Sequence, residues 1–240
     1  MQERIWSPTR WQKAKIILTG RECVHFMHIS KAGGTAVKFA LKNCHFTKKY
    51  VILVHPHAFN LEDLAASHKV VFFVRDPITR FVSGFNSRFR GGQPRYQGTW
   101  SQEEATAFEI FQRPGQLAEA LSTEDPVLHM KALHAMNNIG HVRSSLARWL
   151  ISPEYLSSKA DQILFIGFLE NLELDFTKLK AILGLPQELS LPLDEIMAHR
   201  TPASMDRHLS PLARQNLEQW YVRDYIFYHE CKKLYEQRFA

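Results

Sequence analysis

Lys31, Gly33, Gly34 and Thr35 stand together in His28-Ile29-Ser30-Lys31-Ala32-Gly33-Gly34-Thr35, and these residue types at this spacing suit the capture of an anion. Glycine lets backbone N–H groups approach an oxyanion closely, and Lys31 adds a full positive charge. An apolar run, Cys23-Val24-His25-Phe26-Met27, leads into the segment. Ala36-Val37-Lys38-Phe39-Ala40-Leu41-Lys42 follows it and reads as a helix, whose N-terminal dipole end favours negative charge. The order of residues differs from a Walker A loop, in which Lys follows the glycines; here Lys31 precedes them. The segment is a phosphate-type loop of another make.

A second cluster follows the apolar run Val70-Val71-Phe72-Phe73-Val74, which Arg75-Asp76-Pro77 brings to an end. The pattern predicts a buried parallel strand and then a helix. Asp76 suits the N-cap of that helix, and Pro77 its first turn, where a missing N–H costs nothing. At about 100° per residue, Ile78, Phe81, Val82, Phe85 and Phe89 share one stripe, with Thr79, Arg80, Ser83 and Ser87 on the other side. Arg75 thus leaves the carboxyl end of a strand while Ser83 lies two turns into the next helix. Both are expected to reach one phosphate beside the first loop, since carboxyl ends of parallel strands are where open α/β sheets bind ligands.

Lys-x-Gly-Gly-Thr after one strand and Arg-Asp-Pro-x-x-Arg-x-x-Ser after another resemble the sulfotransferases that use 3′-phosphoadenosine 5′-phosphosulfate (PAPS). The nearest likeness is to the carbohydrate type related to the heparan sulfate 2-O- and 6-O-sulfotransferases. It is dense over residues 23–90, visible again at 160–185 and faint elsewhere. The resemblance implies that Lys31, Ala32, Gly33, Gly34, Thr35 and Ala36 hold the 5′-phosphosulfate and that Arg75 and Ser83 hold the 3′-phosphate. Ile163-Leu164-Phe165-Ile166-Gly167-Phe168-Leu169-Glu170-Asn171-Leu172 looks like the family's strand-to-helix segment near the adenine. Ala32 departs from the Thr of many members, which removes a hydroxyl and leaves the backbone cradle. His141, Arg143 and Ser144 fall where the family contacts cofactor or acceptor, and His199-Arg200 are candidates to close over the nucleotide.

Sulfuryl transfer requires that an acceptor hydroxyl lose its proton and that charge growing on the bridging oxygen be stabilised. Lys31 suits the second task. For the first, the end of the second predicted strand carries His55-Pro56-His57. The 6-O-type relatives place a catalytic His in this region, and Gly-His in related sequences corresponds to Pro56-His57, so the resemblance favours His57, with His55 second. An unperturbed imidazole, pKa about 6.5, suits proton abstraction at neutral pH. The bland alternative is a hydrogen-bonded structural His. Arg80 reads as structural, and Arg88, Arg90 and Arg95 as a solvated basic face also available to steer an anionic glycan.

The elements that must position these groups alternate. Cys23–Ile29, Tyr50–Val54 and Val70–Val74 read as strands, and Ala36–Asn43, Leu61–His68 and Ile78–Phe89 as helices, which implies βαβ crossovers and a parallel sheet. Arg90–Gly98, with three glycines and a proline, breaks the pattern. Ser101-Gln102-Glu103-Glu104 is a capping box, and residues 101–150 read as mostly helical. A strand at Ile163–Phe168, a helix at Leu172–Leu183 and a long amphipathic helix over Ser210–Phe239, broken once, complete the chain. The expected fold class is α/β, a P-loop-like three-layer fold with a central parallel sheet flanked by helices. One domain over 1–240 is expected, with its core at 16–90 and 160–185, a helical insertion at about 100–150 and a C-terminal helical segment at 210–239.

Composition limits the alternatives. A chain of 240 residues, 45% hydrophobic, buries a sizeable core, and its net charge of +6 suits an anionic cofactor and acceptor. With no nucleic-acid motif, no nucleic-acid partner is expected. Cys23, Cys44 and Cys231 form neither a CxxC metal pattern nor a disulfide framework, and no metal is expected. No apolar run approaches the roughly twenty residues of a membrane span. Met1 to Pro8 carries an early Glu and no signal-peptide core, so a cytoplasmic, bacterial enzyme is expected, with a trimmed Golgi-lumenal catalytic domain as the alternative. Two rival functions remain open: a P-loop-like nucleotide-dependent kinase, which lacks GxxxxGK[ST] here, and a non-catalytic nucleotide- or glycan-binding protein.

Overall fold

The computed structural model describes residues 20–239 apart from Glu195, His199 and Arg200, so the N-terminal reading and the His199-Arg200 candidates lie outside the described residues. In chain order the elements are β1 (Glu22–Met27), α1 (Gly34–Leu41), β2 (Tyr50–Val54), β3 (Lys69–Val74), α2 (Pro77–Phe89), α3 (Gln102–Ile110), α4 (Pro114–Glu119), α5 (Pro126–Asn138), α6 (Ala147–Leu150) and α7 (Pro153–Ser158). They continue with β4 (Ile163–Phe168), α8 (Leu172–Leu183), α9 (Pro211–Trp220) and α10 (Val222–Phe239). The chain divides into two compact units, one of Met1–Arg75, Leu146–Ala198 and Phe227–Ala240, the other of Asp76–Ser145 and His199–Ile226.

The first unit contains a four-stranded parallel sheet of order β2-β1-β3-β4. β2, β3 and β4 are short runs mostly of Val, Ile, Leu and Phe, as befits a sheet covered by helices. Val24, Phe26, Tyr50, Ile52, Val71, Phe73 and Phe165 belong to one buried cluster with Val37 and Leu41 of α1 and Phe176, Leu179 and Leu183 of α8. Fully burying a side chain such as Val37 or Leu41 contributes about 1.5–3 kcal/mol. Alternation sends Cys23, Val51 and Leu53 to the opposite face, where they form a small cluster of their own. This is the α/β arrangement the alternating pattern implied.

One predicted helix is absent. Leu61–His68 forms only a 3₁₀ turn, Leu61–Asp63, opened by a capping box at Asn60 and closed by extended backbone at Leu64. The Gln162 amide donates to the carbonyls of Ala65, Ala66 and His68. A residue far along the chain thus ties the segment down through carbonyls that a helix over 61–68 would leave without an intrahelical partner.

In the second unit, α2 is capped by Asp76, whose carboxylate accepts from the Thr79 N–H at 2.9 Å. Of its expected polar side Thr79 is exposed, but Arg80, Ser83 and Ser87 are buried, and so is Asn86. Phe81 and Phe85 pack in a core with Phe108, Leu117, Met136 and Leu217. The capping box forms at α3, with the Ser101 hydroxyl and the Glu104 carboxylate each accepting the other's backbone N–H. The helical stretch expected over 101–150 is interrupted after Asn138, where Glu104 also accepts the Gly140 N–H. The C-terminal helical stretch breaks once, at Tyr221, whose hydroxyl donates to the Val142 carbonyl. Among the described residues no helix is long and apolar enough to cross a membrane.

Candidate functional site

In the first unit the chain leaves β1 at Met27 and enters α1 at Gly34 through a turn with two left-handed residues, Lys31 at φ 62° and Gly33 at φ 80°. Gly33 suits that conformation; Lys31 adopts it against its Cβ, which is uncommon for a residue with a side chain. Alternating handedness turns successive N–H groups toward one side, which makes an anion-binding concavity. The Gly33 carbonyl accepts the Ala36 and Val37 N–H groups at 3.0 and 3.4 Å. The N–H groups of Gly34 and Thr35, at the very start of α1, have no intrahelical acceptor by geometry. Ala32, between the two left-handed residues, is fully buried.

Gly34 is fixed by a neighbour. A Cβ there would lie 2.1 Å from His28 Cδ2, against the ring itself. Beside Gly33 stand Leu169 and Leu172, from the segment that the family resemblance put near the adenine. Arg75 Nη1 donates to the Lys31 carbonyl at 3.4 Å, so the two motifs meet within this unit at the turn. Ser30 Oγ is buried and has no hydrogen-bond partner among the described residues.

The two candidate bases go to different places. His57 is half-buried; its Nδ1 lies 2.9 Å from the His28 carbonyl, and its ring packs on the His28 ring with centroids 3.9 Å apart. A carbonyl only accepts, so Nδ1 carries the hydrogen and the neutral ring keeps its lone pair on Nε2. Trp149 Nε1 donates to the His57 carbonyl at 2.9 Å and holds the segment from behind. His55 is buried: its Nε2 lies 2.8 Å from His25 Nδ1, and His25 Nε2 lies 2.8 Å from His68 Nδ1. Burial drives the pKa of His55 down to about 4 and that of His25 to about 3. This row is neutral at physiological pH.

In the second unit, Ser83 is buried on α2 one turn past Arg80. Arg80 Nη2 donates to Asp224 Oδ2 at 2.6 Å and to the Ser144 carbonyl at 2.7 Å, which fixes it as a structural ion pair. Both Asp76 oxygens are engaged, one by the Thr79 N–H and one by the Tyr225 hydroxyl, so Asp76 works as a cap. His141 lies against Gly84, and the Ser144 hydroxyl donates to the Gly140 carbonyl. Arg88 is committed to Glu104 and the Thr99 carbonyl, and Arg90 donates to the Gln93 carbonyl.

Sequence reasoning missed His28, Ser30, Trp149 and the His25–His55–His68 row. Only His28 carried a signal, standing at the mouth of a turn whose second glycine leaves room for a ring.

The profile of the sulfotransferase family matches residues 14–229. No curated protein matches the chain.

Proposed function

The chain belongs to the sulfotransferase family, whose chemistry is sulfuryl transfer, and we propose from that premise that it uses PAPS as donor and a carbohydrate hydroxyl as acceptor. The observation that carries this reading is the turn at the mouth of α1, with Lys31 and Gly33 both left-handed and Arg75 hydrogen-bonded to it. The residues present fit an anionic donor. Lys31 brings charge, Gly34 leaves no room for a side chain, and Ser30 Oγ is a buried hydroxyl without a partner among the described residues.

In this reading Lys31 and the backbone of Ala32, Gly33, Gly34, Thr35 and Ala36 hold the 5′-phosphosulfate. Arg75 and Ser83 hold the 3′-phosphate, as their motif implies. PAPS supplies a sulfuryl group on a good leaving group. Lys31 stabilises charge on the bridging oxygen, an interaction strongest in the transition state. His57 accepts the acceptor proton on Nε2 while the His28 carbonyl holds Nδ1–H.

Thermal unfolding with nucleotides tests the donor. Adenosine 3′,5′-bisphosphate should raise the melting temperature, since a ligand that binds only the native state stabilises it. ADP, without a 3′-phosphate, should do so much less. Equal shifts would remove the 3′-phosphate assignment, and a PAPS turnover screen over sugar acceptors then identifies the hydroxyl.

A further inference from the structure

The start of α10 holds the first turn of α2 at two consecutive residues. Tyr225 donates its hydroxyl to Asp76 Oδ2 at 2.9 Å, and Asp224 Oδ2 accepts from Arg80 Nη2 at 2.6 Å. The Asp224 carboxylate also accepts from the Ser145 hydroxyl at 2.5 Å, while Arg80 reaches the Ser144 carbonyl. Arg80 and Asp224 are each 2% exposed, so this pair is shielded from solvent. Arg80 Nε and Nη1 have no partner among the described residues, which leaves the charge balanced through Nη2.

The held turn lies between Arg75 and Ser83 in the chain. Asp76 caps α2 through Oδ1 and offers Oδ2 to Tyr225, so one carboxylate both starts the helix and ties it down. Asp76 directly follows Arg75 in the chain, and Ser83 lies one turn beyond Arg80. We infer that Tyr225 and Asp224 are positioning residues for the 3′-phosphate segment, acting through Asp76 and Arg80. The inference rests on the assignment of Ser83 to that phosphate under the proposed function.

Tyr225→Phe is the informative variant, because it keeps the ring and removes only the hydroxyl. Calorimetric titration of the full chain with adenosine 3′,5′-bisphosphate and with adenosine 5′-monophosphate separates positioning from bulk stability. The expected result is a loss of about three- to tenfold in affinity for the bisphosphate, the size of one hydrogen bond, with the monophosphate unchanged. Asp224→Asn should act in the same direction. If Asp224→Asn does not fold, Tyr225→Phe decides alone. Equal losses for both nucleotides, or none, would overturn the inference. A wild-type protein that binds both nucleotides equally would instead remove the 3′-phosphate assignment beneath it.

Discussion

The carbonyl of His28, the first residue after β1, holds Nδ1 of His57 at 2.9 Å. The same His28 ring packs on His57 and lies against Gly34, so one residue links the candidate base to the glycine turn. The contact decides the ring's tautomer and therefore which nitrogen faces chemistry.

Replacing His57 with Ala should lower turnover by about 10²–10⁴-fold and leave nucleotide binding intact. His55→Ala is the control, since its ring is engaged with His25 in a buried row. Should His55→Ala abolish turnover while His57→Ala does not, the base assignment moves to His55.

Lys31→Ala and Arg75→Ala should separate along different axes. Lys31→Ala should reduce kcat far more than it weakens binding of adenosine 3′,5′-bisphosphate, because its charge matters most as the bridging oxygen becomes anionic. Arg75→Ala should weaken binding strongly, losing a charge-assisted contact worth about 1.5–3 kcal/mol. Near-normal turnover in Lys31→Ala would exclude the leaving-group role.

Gly34→Ala should damage fold and site together. The added Cβ meets His28 Cδ2 at 2.1 Å, and overpacking of this kind costs about 1–3 kcal/mol. Chemical denaturation measures the cost. A His28→Ala/Gly34→Ala double variant should recover part of it, and a double variant no more stable than the single would show that the clash is relieved elsewhere.

The histidine row predicts a specific sensitivity to acid. Burial lowers His25 most, with His55 and His68 adding to it; burial also lowers His55, with Asp63 opposing and Lys38 reinforcing, and it lowers His68. The unfolded chain takes up the His25 and His55 protons near pH 6.5 and the folded chain only near pH 3 and pH 4 respectively. Stability from the neutral row is thus complete above about pH 6.5 and is lost as pH falls toward the folded values. By pH 4 the loss is on the order of 3 kcal/mol for His25. Urea midpoints between pH 7 and pH 4 measure it, and His25→Phe, which keeps a flat ring beside Phe59, should flatten the curve. Parallel curves for the two proteins would refute the linkage.

Local chemistry was legible in the sequence, and distant pairing was not. The glycine turn, the Asp76 cap and the capping box at Ser101 each depend on residues within a few positions, so type and spacing suffice. The partners of His57 and His55 depend on β1 and β2 lying side by side, with His25 opposite Leu53, and no spacing along the chain encodes that. The segment Leu61–His68 also has a distant partner, since Gln162 ties down the carbonyls of Ala65, Ala66 and His68. Arg80 looked structural from its place on α2, yet its partner, Asp224, is 144 residues away.

Lys31 holds a backbone conformation that disfavours every side chain, by roughly 1–2 kcal/mol for an L-residue. Glycine at that position would relax the turn and leave the rest of the loop in place. A search for heat resistance alone would therefore favour losing the ammonium group that the proposed reaction needs. Under the role proposed for Lys31 the fold and the reaction pull one residue in opposite directions, so directed evolution of this scaffold needs selection on turnover at every round.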